Sequence, residues 1–303
     1  MSPPMALLSP LTVPPTSLSQ MHSRPPPGPP SPGKQRPTIV LVPGAWHTSL
    51  VWASLISLLS AAGYPCVTLD LPSVGGRVTS MQEDTDAVHV LLSRLVRAGK
   101  DVVVVMHSYG GLPGAAAVKG LGKVDQRQGG VIQLVFLGSF LLDKGIAALD
   151  LLKGTLPYWV ELIDGGTFLR CTCPEDVWYQ DLSPEEQSRW AALLKPQCTV
   201  TFTSPVLHPG WKEIPSTYLI TQQDKAVPPW IQEEMVVSAR RAMTTCKCSN
   251  PVCNPGSHSS PGIAFSGRGG MIRIERSDSG HAVMLSHPEE VCRVIRRAAG
   301  EEV

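Results

Sequence analysis

The sequence predicts an α/β fold, with a mostly parallel sheet of about six strands, helices on both faces and a small helical cap. Three observations point there. The strand-like segments are continuous apolar runs rather than alternating ones, as expected of strands buried on both faces. These runs alternate with stretches whose apolar residues recur at helical spacing. Glycine or proline stands at several of the junctions, where the chain must turn.

The ordered region starts at Thr38. Before it, Met1 to Pro37 holds 12 of the 29 prolines, including Pro25-Pro26-Pro27. Proline lacks an amide donor and disfavours helix, so residues 1–37 read as a disordered Pro-rich tail, with no clear PxxP context for a partner domain. Thr38-Ile-Val-Leu-Val42 is β-branched, apolar and followed by Pro43-Gly44, which predicts a buried strand. Val51, Leu55, Leu58, Leu59 and Ala62 then share a helical face that Gly63 terminates. Cys66–Leu71 is the second strand. Ser80-x-x-Glu83 reads as a capping box for a helix burying Val88, Leu91, Leu92 and Leu95. Asp101–Val105 is the third strand, Gly130–Phe140 contains a fourth, and Ser216–Thr221 and Met271–Ile274 read as the fifth and sixth.

Two stretches break the rhythm. Residues 141–212 are too long for a simple crossover, and Ser183-Pro184-Glu185-Glu186 marks a helix start inside them. They read as a cap inserted into a domain spanning 38–303, with Trp159, Phe168, Trp178 and Tyr179 available to line a pocket or to pack the cap down. Residues 243–270 are rich in Cys, Ser, Pro and Gly without periodicity, and read as an irregular loop insertion. Its Cys246, Cys248, Cys253 and His258 do not follow a common zinc-finger spacing, so neither a metal nor any other cofactor is expected.

Bulk composition narrows the function classes. A hydrophobic share of 43% fills a sizeable core, and a net charge of +1 gives no reason to expect nucleic acid or an anionic membrane as partner. No apolar run approaches the roughly 20 residues that span a bilayer. The start Met-Ser-Pro-Pro makes a poor secretory signal and the eight cysteines are scattered, so the expected compartment is the cytoplasm.

The strongest chemical signal is Val105-Met106-His107-Ser108-Tyr109-Gly110-Gly111. A serine placed directly after a buried strand, with glycines where a helix begins, is exposed on a sharp elbow beside amides that have no intrahelical acceptor. Such a serine needs a base and an acid beside it, for which His281 in Ser279-Gly280-His281-Ala282 and Asp224, Asp143 or Asp278 are available. His107 is expected to point to the other face of its strand, and His47 to be structural.

These motifs resemble the α/β-hydrolase superfamily, and within it the small plant esterases and hydroxynitrile lyases and their fungal and bacterial hydrolase relatives. The resemblance covers roughly Pro37 to Arg297 without the 243–270 insertion. It implies Ser108 as nucleophile, His281 as base and Asp224 as the acid orienting it. The oxyanion donors would be the amides of Tyr109 and of Ala45, in Pro43-Gly44-Ala45-Trp46-His47. Two positions depart from the family pattern: Met106 stands where the motif has glycine, and Pro43 where a histidine is usual. The 57 residues between Asp224 and His281 are about twice the usual spacing, and the insertion accounts for the excess.

The lyases of this family carry a threonine and a lysine where this chain has Gly44 and Ala282. The expected activity is therefore cleavage of a small apolar carboxylic ester or lactone through an acyl-enzyme. The resemblance to fungal pathway hydrolases implies secondary metabolism. A non-hydrolytic lyase or cyclase, and a silent binding protein on the same fold, stay open as alternatives.

Overall fold

The computed structural model describes residues 36–124, 129–244 and 271–303. The expectations for the Pro-rich tail and for Cys246, Cys248, Cys253 and His258 lie outside these residues. In chain order the elements are β1 (Thr38–Val42), α1 (Ala53–Ala61), β2 (Cys66–Thr68), α2 (Gln82–Arg97), β3 (Asp101–His107), α3 (Gly111–Ala116), β4 (Gly130–Leu137) and α4 (Ala148–Leu151). Then follow β5 (Val160–Ile163), β6 (Phe168–Cys171), α5 (Pro174–Val177), α6 (Pro184–Ala192), β7 (Gln197–Cys198), α7 (Val200–Thr203), β8 (Ser216–Thr221), α8 (Pro229–Thr244), β9 (Ile272–Ser277), α9 (Val283–Ser286) and α10 (Pro288–Ala298).

Six strands form one parallel sheet in the order β2-β1-β3-β4-β8-β9. The inner strands are apolar on both faces because both faces are covered. Every side chain of β1 and β8 is buried, as are Val102 to His107 of β3. Parallel pairing brings the C-terminal ends of β3, β4, β8 and β9 to one edge, where the loops that follow meet.

Local signals set the helix starts with small shifts. Ser183 Oγ accepts the Glu186 amide at 3.3 Å, but the Glu186 carboxylate turns to Trp190 Nε1 instead of completing the box. At α2, Glu83 reaches back to Thr79 N at 2.6 Å rather than to Ser80, whose hydroxyl accepts the Gln82 amide. The α8 helix runs through Met243 to Thr244, two residues into the stretch read as irregular.

Between β4 and β8 the chain carries α4 to α7 and also a three-stranded antiparallel sheet, β5-β6-β7. The cap therefore mixes helices with strands. The strands are short and poorly periodic, two to four residues each, which hides them from pattern reading. Trp46, Trp159, Trp178 and Phe202 interlock beneath the cap, with ring centroids 5.0–6.0 Å apart around Trp46.

Candidate active site

Ser108 is the first residue beyond β3 and opens a 3-10 turn that runs into α3. Its φ is 52°, the left-handed region a non-glycine residue enters only when its surroundings hold it there. Two bonds do so, because the Ser108 carbonyl accepts Phe140 N at 3.1 Å and Ser139 Oγ at 2.6 Å. Close packing on the other side needs Gly44, since a Cβ there would stand 3.0 Å from Ser108 Cβ.

Two residues before Ser108, where the resembled motif has glycine, stands Met106, fully buried. Its volume is accommodated by Gly114 on α3, where a Cβ would lie 2.7 Å from Met106 Cγ and Sδ. Space is thus given up by the helix instead of the strand.

His281 and Asp224 meet as expected. His281 Nδ1 bonds Asp224 Oδ2 at 2.8 Å, and both side chains are buried. The carboxylate also accepts Thr221 Oγ1 (2.8 Å) and Gln232 Nε2 (3.1 Å) on Oδ2, and the Ala226 and Val227 amides (both 2.8 Å) on Oδ1. Five donors therefore fix both oxygens and leave Oδ2 facing the imidazole. Gly138, at the end of β4, lets this loop approach. Its φ is 46°, and a Cβ would stand 3.0 Å from Asp224 Oδ2. The rival acids lie elsewhere: Asp143 pairs with Lys212 Nζ at 2.6 Å, and exposed Asp278 accepts Gln223 Nε2.

His281 is further held by its backbone. The cap supplies Asp181, which accepts Gly280 N at 2.7 Å, and Trp178 O, which accepts Ala282 N at 3.3 Å. His107 donates Nε2–H to the His281 carbonyl at 2.9 Å, with the two rings 4.6 Å apart. These contacts set the His107 ring against the segment that carries His281. Burial, the nearby His281 and then His47 lower the His107 pKa well below the usual value, so its ring is neutral.

The loop Pro43 to His47 lies opposite Ser108. No group among the described residues accepts from Ala45 N–H, and the Tyr109 amide sits in a first helical turn, where amides have no intrahelical acceptor. His47 is structural, as expected: Nδ1–H donates to Ala45 O at 2.8 Å and Nε2 accepts Tyr179 OH at 2.7 Å. Burial depresses its pKa to about 4.

Ser108 and His281 line the same cavity without a direct hydrogen bond between them, a contact that commonly tightens only with substrate in place. Its walls are Trp46, Phe140, Trp159, Trp178 and Phe202 with aliphatic residues of the cap and of the Asp224 loop, and among the described residues His281 is the one histidine, lysine, arginine or acid that lines it. Free space is about 30 Å³, room for a water or two. A roomier cavity of about 210 Å³, between Leu141, Trp211 and Met235, is lined by the rival acid Asp143 but by none of Ser108, Asp224 and His281.

Sequence reasoning missed Gln232 and Asp84. Both had a readable signal. Gln232 shares the spacing of Met235, Val236 and Ala239, and Asp84 that of Val88 and Leu92, so each is a polar residue on an apolar helical face.

A parallel sheet with an elbow serine, a buried acid–imidazole pair and a cap is the arrangement of one large class, and the comparisons agree. The chain belongs to the alpha/beta hydrolase family, whose model matches residues 39–294. It is similar to the alpha/beta hydrolase nvfD of Aspergillus novofumigatus, 30% identical over 275 residues that cover 88% of this chain and 98% of that one. Among solved structures, a pyrethroid hydrolase from Sphingobium faniae superposes with a TM-score of 0.64 at 21% identity, covering 87% of this chain and 97% of that one. The methylesterase MES16 of Arabidopsis does so at 0.60 and 19%, covering 87% and 98%. At such identities these two show a shared fold. No helix among the described residues is long and apolar enough to cross a membrane.

Proposed function

We propose that the protein is a serine hydrolase that cleaves a small, uncharged, apolar carboxylic ester or lactone through an acyl-enzyme. The observation that carries this reading is the buried His281–Asp224 pair, bonded at 2.8 Å, facing the same narrow cavity as the strained Ser108. Ser108 Oγ attacks the carbonyl while His281 Nε2 takes its proton. Asp224 holds Nδ1–H, which fixes the tautomer and stabilises the imidazolium. The amides of Ala45 and Tyr109 receive the developing oxyanion. His281 then protonates the departing alcohol, and a water activated by the same ring cleaves the acyl-enzyme, releasing acid and restoring Ser108.

The lining supports the substrate class. Five aromatic rings and no cationic side chain favour an apolar group and discriminate against a second carboxylate on the substrate. Ester chemistry is also what the names of the pyrethroid hydrolase and the methylesterase describe for those proteins. A small molecule is the partner in this reading, with neither nucleic acid nor membrane, and it requires no metal or other cofactor. The cytoplasm and the secondary-metabolic setting belong to it too, the former supported by free thiols at Cys66, Cys171, Cys173, Cys198 and Cys292.

The test is rapid-mixing kinetics with activated aryl esters of graded acyl length. A burst of alcohol stoichiometric with protein, absent in Ser108→Ala, is expected. Steady turnover by Ser108→Ala would reject the reading, and product without net hydrolysis would point to a lyase or cyclase.

A further inference from the structure

Asp84 is fully buried on α2, yet no cation pairs with it among the described residues. A buried carboxylate without a cation is costly unless donors surround it. Three do here: Ser73 N at 2.9 Å, Ser73 Oγ at 2.5 Å and Tyr109 OH at 2.6 Å. Burial raises the Asp84 pKa, and the bonds from Ser73 and Tyr109 oppose that rise.

The bonds continue. Ser73 Oγ accepts Gln197 Nε2 at 2.8 Å, and Gln197 Oε1 accepts the backbone N–H of Trp46 at 3.4 Å. Ser73, Tyr109, Gln197 and Asp84 are each completely excluded from solvent. The chain of bonds therefore starts at the residue after the nucleophile, passes through α2 and the loop after β2, and ends on the residue after Ala45. Trp46 has φ 63°, so this far end is also a strained non-glycine position. Phe202 spans the same two ends as a packing contact, stacked on Tyr109 at 5.7 Å and tilted against Trp46 at 5.6 Å.

We infer that Asp84 is a positioning residue whose bonds to Tyr109 and, through Ser73 and Gln197, to Trp46 hold the two oxyanion amides at a fixed separation. The inference rests on the assignment of those amides under the proposed function. An oxyanion site works because its donors are aimed before charge develops, and two amides on separate loops need a common anchor.

The test is Tyr109→Phe, which removes one oxygen and keeps the amide. It should lower kcat about tenfold with KM within about twofold, a part of the 10²–10³ lost when an oxyanion donor is removed outright. Affinity for an aryl boronic acid, which becomes tetrahedral on a nucleophilic serine, should fall by the same factor as kcat. Affinity for the corresponding neutral aryl amide should stay unchanged. Asp84→Asn should act in the same direction, and the double variant should be no worse than Asp84→Asn alone. Should Asp84→Asn fail to fold, Tyr109→Phe decides by itself. Wild-type kcat in Tyr109→Phe, or equal weakening of boronate and amide, would overturn the inference while leaving the Ser108 burst intact. Loss of the proposed function itself would show instead as turnover in Ser108→Ala.

Discussion

The His107 ring lies 4.6 Å from the His281 ring and donates Nε2–H to the His281 main-chain carbonyl at 2.9 Å. Its own Nδ1 is buried with no partner among the described residues. An unsatisfied buried acceptor is unfavourable, and here it accompanies a bond that ties His281 to the strand that leads into Ser108. His107→Phe keeps the ring and removes the donor. It should lower kcat by about tenfold through misplacement of His281, while in stability the orphaned His281 carbonyl is set against the removal of the orphan Nδ1. Unchanged kcat would show that the bond positions nothing.

Two buried neutral histidines also set an acid limit on stability. His47 titrates at about 4 against an ordinary 6.5, with burial the main cause, and His107 lies well below the ordinary value for the same reason. In the unfolded chain both take up protons near 6.5. Between about pH 6.5 and about pH 4 the unfolded state therefore binds protons that the folded state refuses. Stability falls as pH drops through that window, by about 1.4 kcal/mol per pH unit for His47, and His107 adds to the loss in the same direction. Urea unfolding at about pH 7.5 and about pH 5 should show the lower midpoint in acid. His47→Gln, which can keep both hydrogen bonds, should flatten the difference, and an identical slope in this variant would contradict the assignment.

Gln232 links α8 to the acid loop. Its Nε2 donates to Val227 O at 2.6 Å and Thr221 Oγ1 at 2.8 Å, while its Oε1 accepts Thr221 N at 3.1 Å. Gln232→Leu leaves Val227 O and Thr221 N without this partner, at about 1–3 kcal/mol, and removes one of the five donors that hold Asp224. Chemical unfolding should register the loss, and kcat should fall more than KM rises. A variant as active and stable as wild type would remove Gln232 from the site.

Met106 and Gly114 share one volume. Gly114→Ala should destabilise by about 1–3 kcal/mol through overpacking, and Met106→Ala by about 2–5 kcal/mol through a cavity. Combined, they should cost less than their separate losses added together. Strict additivity in unfolding experiments would deny the coupling.

The sheet was legible because its strands are buried on both faces and leave continuous apolar runs such as Val102 to Val105. Ser108, Asp224 and His281 were legible because each follows a strand at the edge where such sheets place chemistry. What stayed hidden was set by contacts across the chain. The bond from His107 to the His281 carbonyl joins residues 174 positions apart, and the β5-β6-β7 sheet rests on strands of two to four residues. Asp84 and Gln232 were visible as polar residues on apolar faces, but only tertiary structure gives them partners.

The most direct measurement is intact-protein mass after exposure to a fluorophosphonate, with the modified peptide sequenced. One adduct on Ser108 is expected in the wild type, none in Ser108→Ala, and much slower labelling in His281→Ala and Asp224→Ala. Labelling at another residue, or at an unchanged rate without His281, would contradict a nucleophile at Ser108 activated by the His281–Asp224 pair.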